Sequence, residues 1–502
     1  MGAQTATGLD SGDASRARAV SVARAALAIA IIACAAAFSF RSTVHGRYLM
    51  GDFKAFYCAS RVALARENPY ALAPMARCER RAVVIPAPLP GYALAALAPL
   101  AALPFAAAAV LWLVILCGAT ALAIALLVRM NAGDAWTIAV ASSIALVAVS
   151  FPVGQLLPVA VAGLVLAAFG AARGKTGFVA SGVALTMLEP QLGMCVAIAC
   201  VALSHRTAVT AIAVVAGLGL LSLLFLGVSE NVAYVREVLP AHVQAELPAF
   251  FQYSLSSALY RLGVGATAAI DAGKASWICM LAVTAWVARS ALARAHPESA
   301  ILAAGAFSVA GGPYLHADHV VFALPAALWL ARNAPRSGAI AAAVALAALN
   351  LLTGFLAAGT IVLEPVIAAW VAAAYGKSAR AALYGATAAL GSIVICLVVV
   401  AKTGLSFAPS AVLQPAVGLA QSQWAAFIAT DSSSGSPAWW FMKAPVWFGI
   451  AATAAMTIAA RLRGTYALRC EVPYAPGVAR TSTPTSAAAS SQLVSRPYQS
   501  SH

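Results

Sequence analysis

The sequence predicts an all-α polytopic integral membrane protein, and three observations carry that prediction. Of the 502 residues, 62% are hydrophobic and only 9% charged, against about 25% charged in an ordinary soluble domain. Runs of roughly 17 to 25 apolar residues recur from near residue 22 to residue 460, and in lipid each satisfies its own backbone hydrogen bonds only as a helix. The lysines and arginines sit in short clusters between those runs. Together these predict a bundle of about 10 to 14 transmembrane helices and leave no room for a large soluble catalytic domain.

Taken in order, residues 1–21 form a cytoplasmic N-terminal segment. Arg16, Arg18 and Arg24 then lead into ALAIAIIACAAAFSF, which reads as a retained signal anchor because no small-residue cleavage site followed by a soluble domain comes after it. Residues 22–463 form the membrane domain, and the serine-, alanine- and proline-rich residues 464–502 read as a disordered cytoplasmic tail. The positive-inside rule places the N-terminus in the cytoplasm and returns the chain there at Arg129, at Arg173 and Lys175, at Arg206, at Arg289 and Arg294, at Arg332 and Arg336, at Lys377 and Arg380, and at Arg461 and Arg463. Residues 41–90, 228–274 and 401–438 are then outside.

That parity requires residues 177–203 to enter and leave the membrane as two short helices hinged at Glu189 and Pro190. A proline disfavours helix in the residue before it, and a glutamate at mid-membrane is costly. The first outer loop itself carries Arg41, Arg47, Lys54, Arg61, Arg66, Arg77, Arg80 and Arg81, against the rule. Either the topology is inverted or the loop is a folded unit whose basic groups have an external task. The net charge of +15 is spread over these clusters rather than along one face, so anionic lipid headgroups are the expected partners and nucleic acid is not.

With this topology, polar groups from four separated segments gather on the outer side: Asp52 after the first span, Gln155 in FPVGQLLP, Glu189 in the hinge, and His316, Asp318 and His319 in PYLHADH. Asp52 reads as a helix N-cap, as a general base at the membrane boundary, or as both. His316 and His319 stand at the i, i+3 spacing of metal ligands with Asp318 beside them, but no further ligand or zinc signature accompanies them, so no metal and no cofactor is expected. Arg77, Arg80 and Arg81 suit either lipid headgroups or the phosphate of a lipid-linked substrate, and Lys54 belongs with them. Cysteines 34, 117, 195, 200, 279 and 396 fall in apolar helices and read as packing residues. Cys58 and Cys78 share the outer loop, where an oxidising compartment permits a disulfide, although the sequence does not fix their distance.

The run GDFKAFYCASRVALARENPY followed by PAPLPGYALAALAPLAALPFAAAAVLW resembles the opening of glycosyltransferase family 87, polytopic enzymes of the GT-C type that include mannosyltransferases. The turn Gly154-Gln155, the hinge Leu188-Glu189-Pro190-Gln191 and GGPYLHADHVVFALPAALWL continue the resemblance to about residue 331. It implies a GT-C-like bundle with an extracytoplasmic first loop, in a bacterial inner (plasma) membrane, that moves a hexose, mannose being one candidate, from a polyprenyl-phosphate sugar to a lipid or glycan acceptor by inverting, metal-independent transfer. Asp52 then matches the loop acid and would be the base; His316 and His319 match the late histidine region. The hinge often carries lysine in that family where this chain has Glu189, and its YPP-like stretch here reads IPAPLP, so Arg80 or Arg81 takes the donor-phosphate role.

Two readings compete. A transporter or lipid-linked sugar flippase predicts broken helices at matching positions of two halves, whereas one hinge is visible, at Glu189-Pro190. A non-catalytic membrane scaffold is the other, since a fold can persist without its chemistry.

Overall fold

The computed structural model describes residues 11–45, 48–351, 361–403, 417–430 and 437–463. The expected tail, 464–502, lies outside the described residues, as do Cys470 and much of the outer segment 401–438. The protein is all-α and polytopic; among the described residues the only β pairing is two isolated bridges, Ala71 with Leu419 and Gln252 with His316. Among the described residues six helices are long and apolar enough to cross a membrane: Ala19–Arg41, Phe105–Arg129, His205–Leu226, Ala266–Ala288, Ala379–Thr403 and Pro437–Leu462. A pair bent by 45°, Ala135–Ser142 with Leu146–Val153, makes a seventh if it is one span. Seven shorter apolar helices of 10–17 residues complete the bundle. The sequence periodicity therefore finds the apolar helices, and the structure sorts those described into long and short ones, because a short run and a membrane-long run share one composition.

The segment 177–203 is two helices, Thr176–Thr186 and Pro190–Leu203, broken at Met187–Glu189. Proline at the first helical position needs no N–H there. Glycines let this region close up. A Cβ at Gly182 would lie 2.4 Å from the Ala167 nitrogen and 2.6 Å from the Gly163 carbonyl oxygen, and one at Gly193 would lie 2.6 Å from the Thr186 oxygen. Backbones meeting this closely are how helices associate in lipid, where burying apolar area against lipid tails gives no advantage. The bend at 142–146 and the break at 187–189 both fall in the first half of the chain.

The helices give the bundle two unlike ends. At one, Arg24 pairs with Asp134 at 2.8 Å, the Tyr375 hydroxyl donates to the Ala132 carbonyl, Asn333 Nδ2 donates to the Asn131 carbonyl, and the Arg461 guanidinium lies over Trp286. The basic turns at Arg129, Arg289, Arg332 and Lys377 belong to the helices that meet there. At the other end, residues from the opposite termini of those helices surround a cavity: Val149 and Gln155, Glu189 and Gln191, Val235 and Leu239, Ala266 and Ile270, Pro313 and His316. The polar cavity-end loops and the basic turns are thus segregated, and the hairpin at Glu189 is what keeps the alternation in phase.

Filling the closest helix contact tests this packing. Gly182→Leu is expected to destabilise the protein by about 1–3 kcal/mol or more through overpacking, seen as a lowered unfolding temperature in detergent; an unchanged temperature would contradict the close approach of Thr176–Thr186 to Leu157–Ala172.

Candidate active site

Asp52 lies in the first turn of the helix Gly51–Leu64. The chain enters that helix through Met50, which sits in the left-handed region at φ 54° and donates its N–H to the Pro152 carbonyl at 2.7 Å. The turn it leans on is built around Gly154, at φ +78°, where a Cβ would come within 2.6 Å of Phe53 Cβ; glycine alone meets both demands. Trp112 stacks on Phe53 and donates Nε1 to the Gly154 carbonyl at 2.9 Å. These contacts bring Gln155 to Asp52, with Nε2 donating to Oδ2 at 2.6 Å. The N-cap expectation is corrected here: Met50 is the cap residue, no side chain caps this helix, and the Asp52 carboxylate turns to Gln155 and the cavity instead. Burial pushes the Asp52 carboxyl up to about 7, the Asp318 carboxylate adds to the rise, and His316 opposes it.

The histidine side of the cavity forms where two loops pair. Around the Gln252–His316 bridge, Tyr253 donates its N–H to the Leu315 carbonyl at 2.6 Å and Ala317 donates to the Phe251 carbonyl at 3.1 Å. His316 Nε2 is in hydrogen-bond contact with Glu246 Oε2. That carboxylate also accepts from Trp424 Nε1 at 2.7 Å and from Gln252 Nε2 at 3.0 Å, and His242 Nε2 lies 3.7 Å from it. The Tyr314 hydroxyl stands 2.9 Å from His242 Nε2 and 3.4 Å from His316 Nδ1. His319 stacks on the His316 ring, and its Nδ1 accepts the His316 backbone N–H at 3.1 Å. Burial works against charge on both members of the Glu246–His316 pair. Their mutual contact prevails, holding the Glu246 carboxyl well below the usual carboxylate range and His316 above the usual histidine range. Burial keeps His242 down at about 4, hence neutral.

These two sides face one cavity of about 780 Å³. It brings together Asp52, Gln155, Glu189, His316, Asp318 and His319 of the predicted residues, with Lys274, Asp271 and Trp277 along the rim helix and largely apolar walls from Phe56, Ile85 and Met194. Glu189 accepts from Gln191 Nε2 at 2.6 Å. Ligand atoms of His316, Asp318 and His319 lie within 4.8 Å of one another; one ring nitrogen of each histidine is already engaged, His316 Nε2 by Glu246 and His319 Nδ1 by backbone.

The expected basic clamp is not in the cavity wall. Arg77 is exposed and pairs with Glu67, Arg80 is an exposed helix cap, and Lys54 lies over the Phe105 ring. Arg81 comes nearest, 3.2 Å from where a Cβ on Gly51 would project. Arg77 and Arg80 occupy the exposed face of the loop, Lys54 and Arg81 are half-buried beside Phe105 and Gly51, and Ile85, Pro86, Pro88 and Leu89 face the cavity. Residues that sequence reasoning passed over complete the site: His242, Glu246, Gln252, Tyr314 and Trp424. The spacing of His242 and Glu246, four apart in one helix, was a readable signal; Trp424 offered none.

A disulfide joins Cys58 to Cys78, with Cα atoms 5.6 Å apart, fastening the acid-bearing helix to the helix Leu72–Glu79. Cys195, Cys200 and Cys396 are buried as packing residues, whereas Cys34, Cys117 and Cys279 face outward from their helices, a correction to their expected role. Reduction of the denatured, membrane-extracted protein is expected to expose two further thiols to a mass-tagged maleimide, and Cys58→Ser should abolish that increment; an equal count with and without reductant would show the bridge absent.

The comparisons with known proteins follow this geometry. No curated protein and no solved structure matches the chain. Residues 90–313 match the family model of Glycosyltransferase family 87, a region that contains Gln155, Glu189, His242 and Glu246, while Asp52 precedes it and His316 follows it. Over that stretch, a little under half of the chain, the protein is similar to glycosyltransferase family 87, as the sequence resemblance anticipated, and the activity the match indicates is that of a multi-pass membrane glycosyltransferase.

Proposed function

We propose that the protein transfers a hexose, with mannose a candidate, from a polyprenyl-phosphate sugar to a lipid or glycan acceptor on the extracytoplasmic face of a bacterial inner membrane. The observation that carries this reading is one cavity between membrane helices with the Asp52 carboxyl, poised near neutrality, and the His316 imidazole in its wall. Its apolar lining suits a lipid-linked donor better than a free nucleotide sugar. The Cys58–Cys78 disulfide and the placement of basic turns at the far end of the bundle support an outward-facing cavity.

In the proposed inverting step, the acceptor hydroxyl oxygen attacks the anomeric carbon while the bond from that carbon to the phosphate oxygen breaks. The bonding electron pair leaves with the phosphate, and the hydroxyl proton passes to Asp52 as general base. His316 stabilises charge growing on the leaving phosphate, with His319 holding the His316 backbone. Gln155, Glu189 and Asp318 orient Asp52 or bind sugar hydroxyls. Lys54, Arg77, Arg80 and Arg81 meet anionic headgroups or the phosphate as it enters.

Transfer from a panel of polyprenyl-phosphate sugars to membrane acceptors, read as glycolipid product, tests this function directly. Asp52→Asn is expected to lower transfer by about 10²–10⁴-fold, the usual contribution of a general base, with the protein still folded in the membrane; full retained activity would exclude Asp52 as the base. Because the base acts as carboxylate, kcat/KM of the wild type should fall as pH drops through about 7, approaching tenfold per pH unit below it. A rate flat from pH 8 to pH 5 would contradict the assignment.

A further inference from the structure

The charges around the cavity do not favour the substrate proposed for it. Four carboxyl groups line it, on Asp52, Glu189, Glu246 and Asp318, and a fifth, Asp271, stands at the rim. The one lining lysine, Lys274, is largely exposed and paired with Asp271 at 3.0 Å. No arginine is among the described residues that line the cavity; Arg77 and Arg80 are exposed, and Arg81 is half-buried beside Gly51. A phosphate brought into this space meets a wall of carboxyl groups, which repel it wherever they are ionised, unless a cation is held within it. His316 is the group placed to supply that cation, and it is in hydrogen-bond contact with a buried carboxylate.

Glu246 is that carboxylate. It is 2% exposed, and both oxygens are taken: Oε1 by Trp424 Nε1, with His242 Nε2 3.7 Å away, and Oε2 by His316 Nε2 and Gln252 Nε2. A carboxylate enclosed in this way has hydrogen-bond partners on both oxygens. The groups enclosing it are themselves fixed. Gln252 Oε1 accepts the Leu315 N–H at 3.0 Å, which joins the loop before His316 to the loop after Glu246. From the last long helix, Lys443 Nζ donates to the Phe250 and Gln252 carbonyls at 2.5 and 2.6 Å, and Trp447 Nε1 donates to the Tyr253 carbonyl at 3.0 Å. The arrangement sets both the position and the charge of one imidazole.

We propose that Glu246 is a positioning residue that keeps His316 protonated in the cavity wall, and that this imidazolium is what admits an anionic, phosphate-bearing donor to an otherwise acidic site. The substrate half of this proposal rests on the transferase reading; the Glu246–His316 half does not. The other titratable groups facing His316 are His242 from the same helix as Glu246, Tyr314, Asp318 and His319 from its own loop, Asp52 from the helix Gly51–Leu64, and Glu189 from the hinge. His242 is neutral and the carboxylates act with Glu246, which is the one among them in hydrogen-bond contact with His316. Under this arrangement His316 releases its proton only near pH 9, so wild-type kcat/KM should be bell-shaped, rising through about 7 with Asp52 and falling near 9 with His316.

The test uses the full chain in nanodiscs labelled with ¹⁵N-histidine, the His316 signal being assigned by its loss in His316→Gln. In the wild type, His316 is expected to stay protonated through pH 8. Glu246→Gln, which keeps the shape and removes the charge, should lower its titration midpoint by more than one pH unit, and Glu246→Asp should recover part of that shift. In transfer assays the same Glu246→Gln change should move the upper pH limb down by a similar amount and raise KM for a polyprenyl-phosphate donor at pH 8 by at least about twofold, since a one-unit drop from a midpoint near 9 leaves about half rather than about nine-tenths of His316 protonated there. A wild-type His316 midpoint at or below the ordinary histidine value overturns the proposal without recourse to any variant, as does an unmoved midpoint in folded Glu246→Gln. If the midpoint moves as expected but the wild type transfers no sugar from any polyprenyl-phosphate donor, the transferase reading and the substrate half fall while the positioning role stands.

Discussion

The buried contact between Glu246 and His316 is the interaction on which the cavity end of the molecule depends. It draws on a short helix, the loop that follows it, the loop before the late helix and, through Trp424, a segment more than a hundred residues further on. Burying opposite charges costs more in lost hydration than their attraction returns unless each is also hydrogen-bonded. Here the carboxylate has donors on both oxygens, so the condition is met, and the same donors knit separated segments into one wall. Removing either charge would leave the other buried and uncompensated, which is why such a pair fixes geometry more than it adds stability.

Asp52 is held by a different economy of contacts. Its helix begins at a left-handed residue, leans on a glycine turn and is fastened by a disulfide to its neighbour. The result is a carboxyl group enclosed enough to lose much of its acidity, with one amide, that of Gln155, as its hydrogen-bond partner. The cavity therefore has a side where a proton can be accepted near neutrality and a side where positive charge is maintained. Displacement at an anomeric carbon with an anionic leaving group asks for both.

The basic first loop illustrates how a reading of charge alone goes astray. Eight lysines and arginines in residues 41–81 pointed to a phosphate clamp, and the structure turns Arg77 and Arg80 to the exterior while the loop's apolar prolines and leucine meet the cavity. Sequence places a residue on a loop; it does not say which face of that loop will be buried. The same gap explains Glu246, which sits in a polar segment with no motif around it and gained its partner only when His316, seventy residues away, was folded against it.

What the sequence determined by itself is whatever follows from local composition and period. Apolar runs had to become helices because lipid offers their backbones no other hydrogen bonds. Glu189-Pro190 had to break the run 177–203 because proline and a carboxylate both resist a continuous span there, and that break fixed which loops share an end. Asp52, Gln155, Glu189 and the histidines of PYLHADH were legible as a convergent set for that reason. Tertiary structure decided what convergence means in ångströms: how many apolar helices are membrane-long, that Asp52 turns to Gln155 rather than capping its helix, that Cys58 meets Cys78, and that His316 acquires Glu246. Those outcomes depend on contacts between segments far apart in the chain, and burial, charge and hydrogen bonding are properties of such contacts rather than of any stretch of sequence.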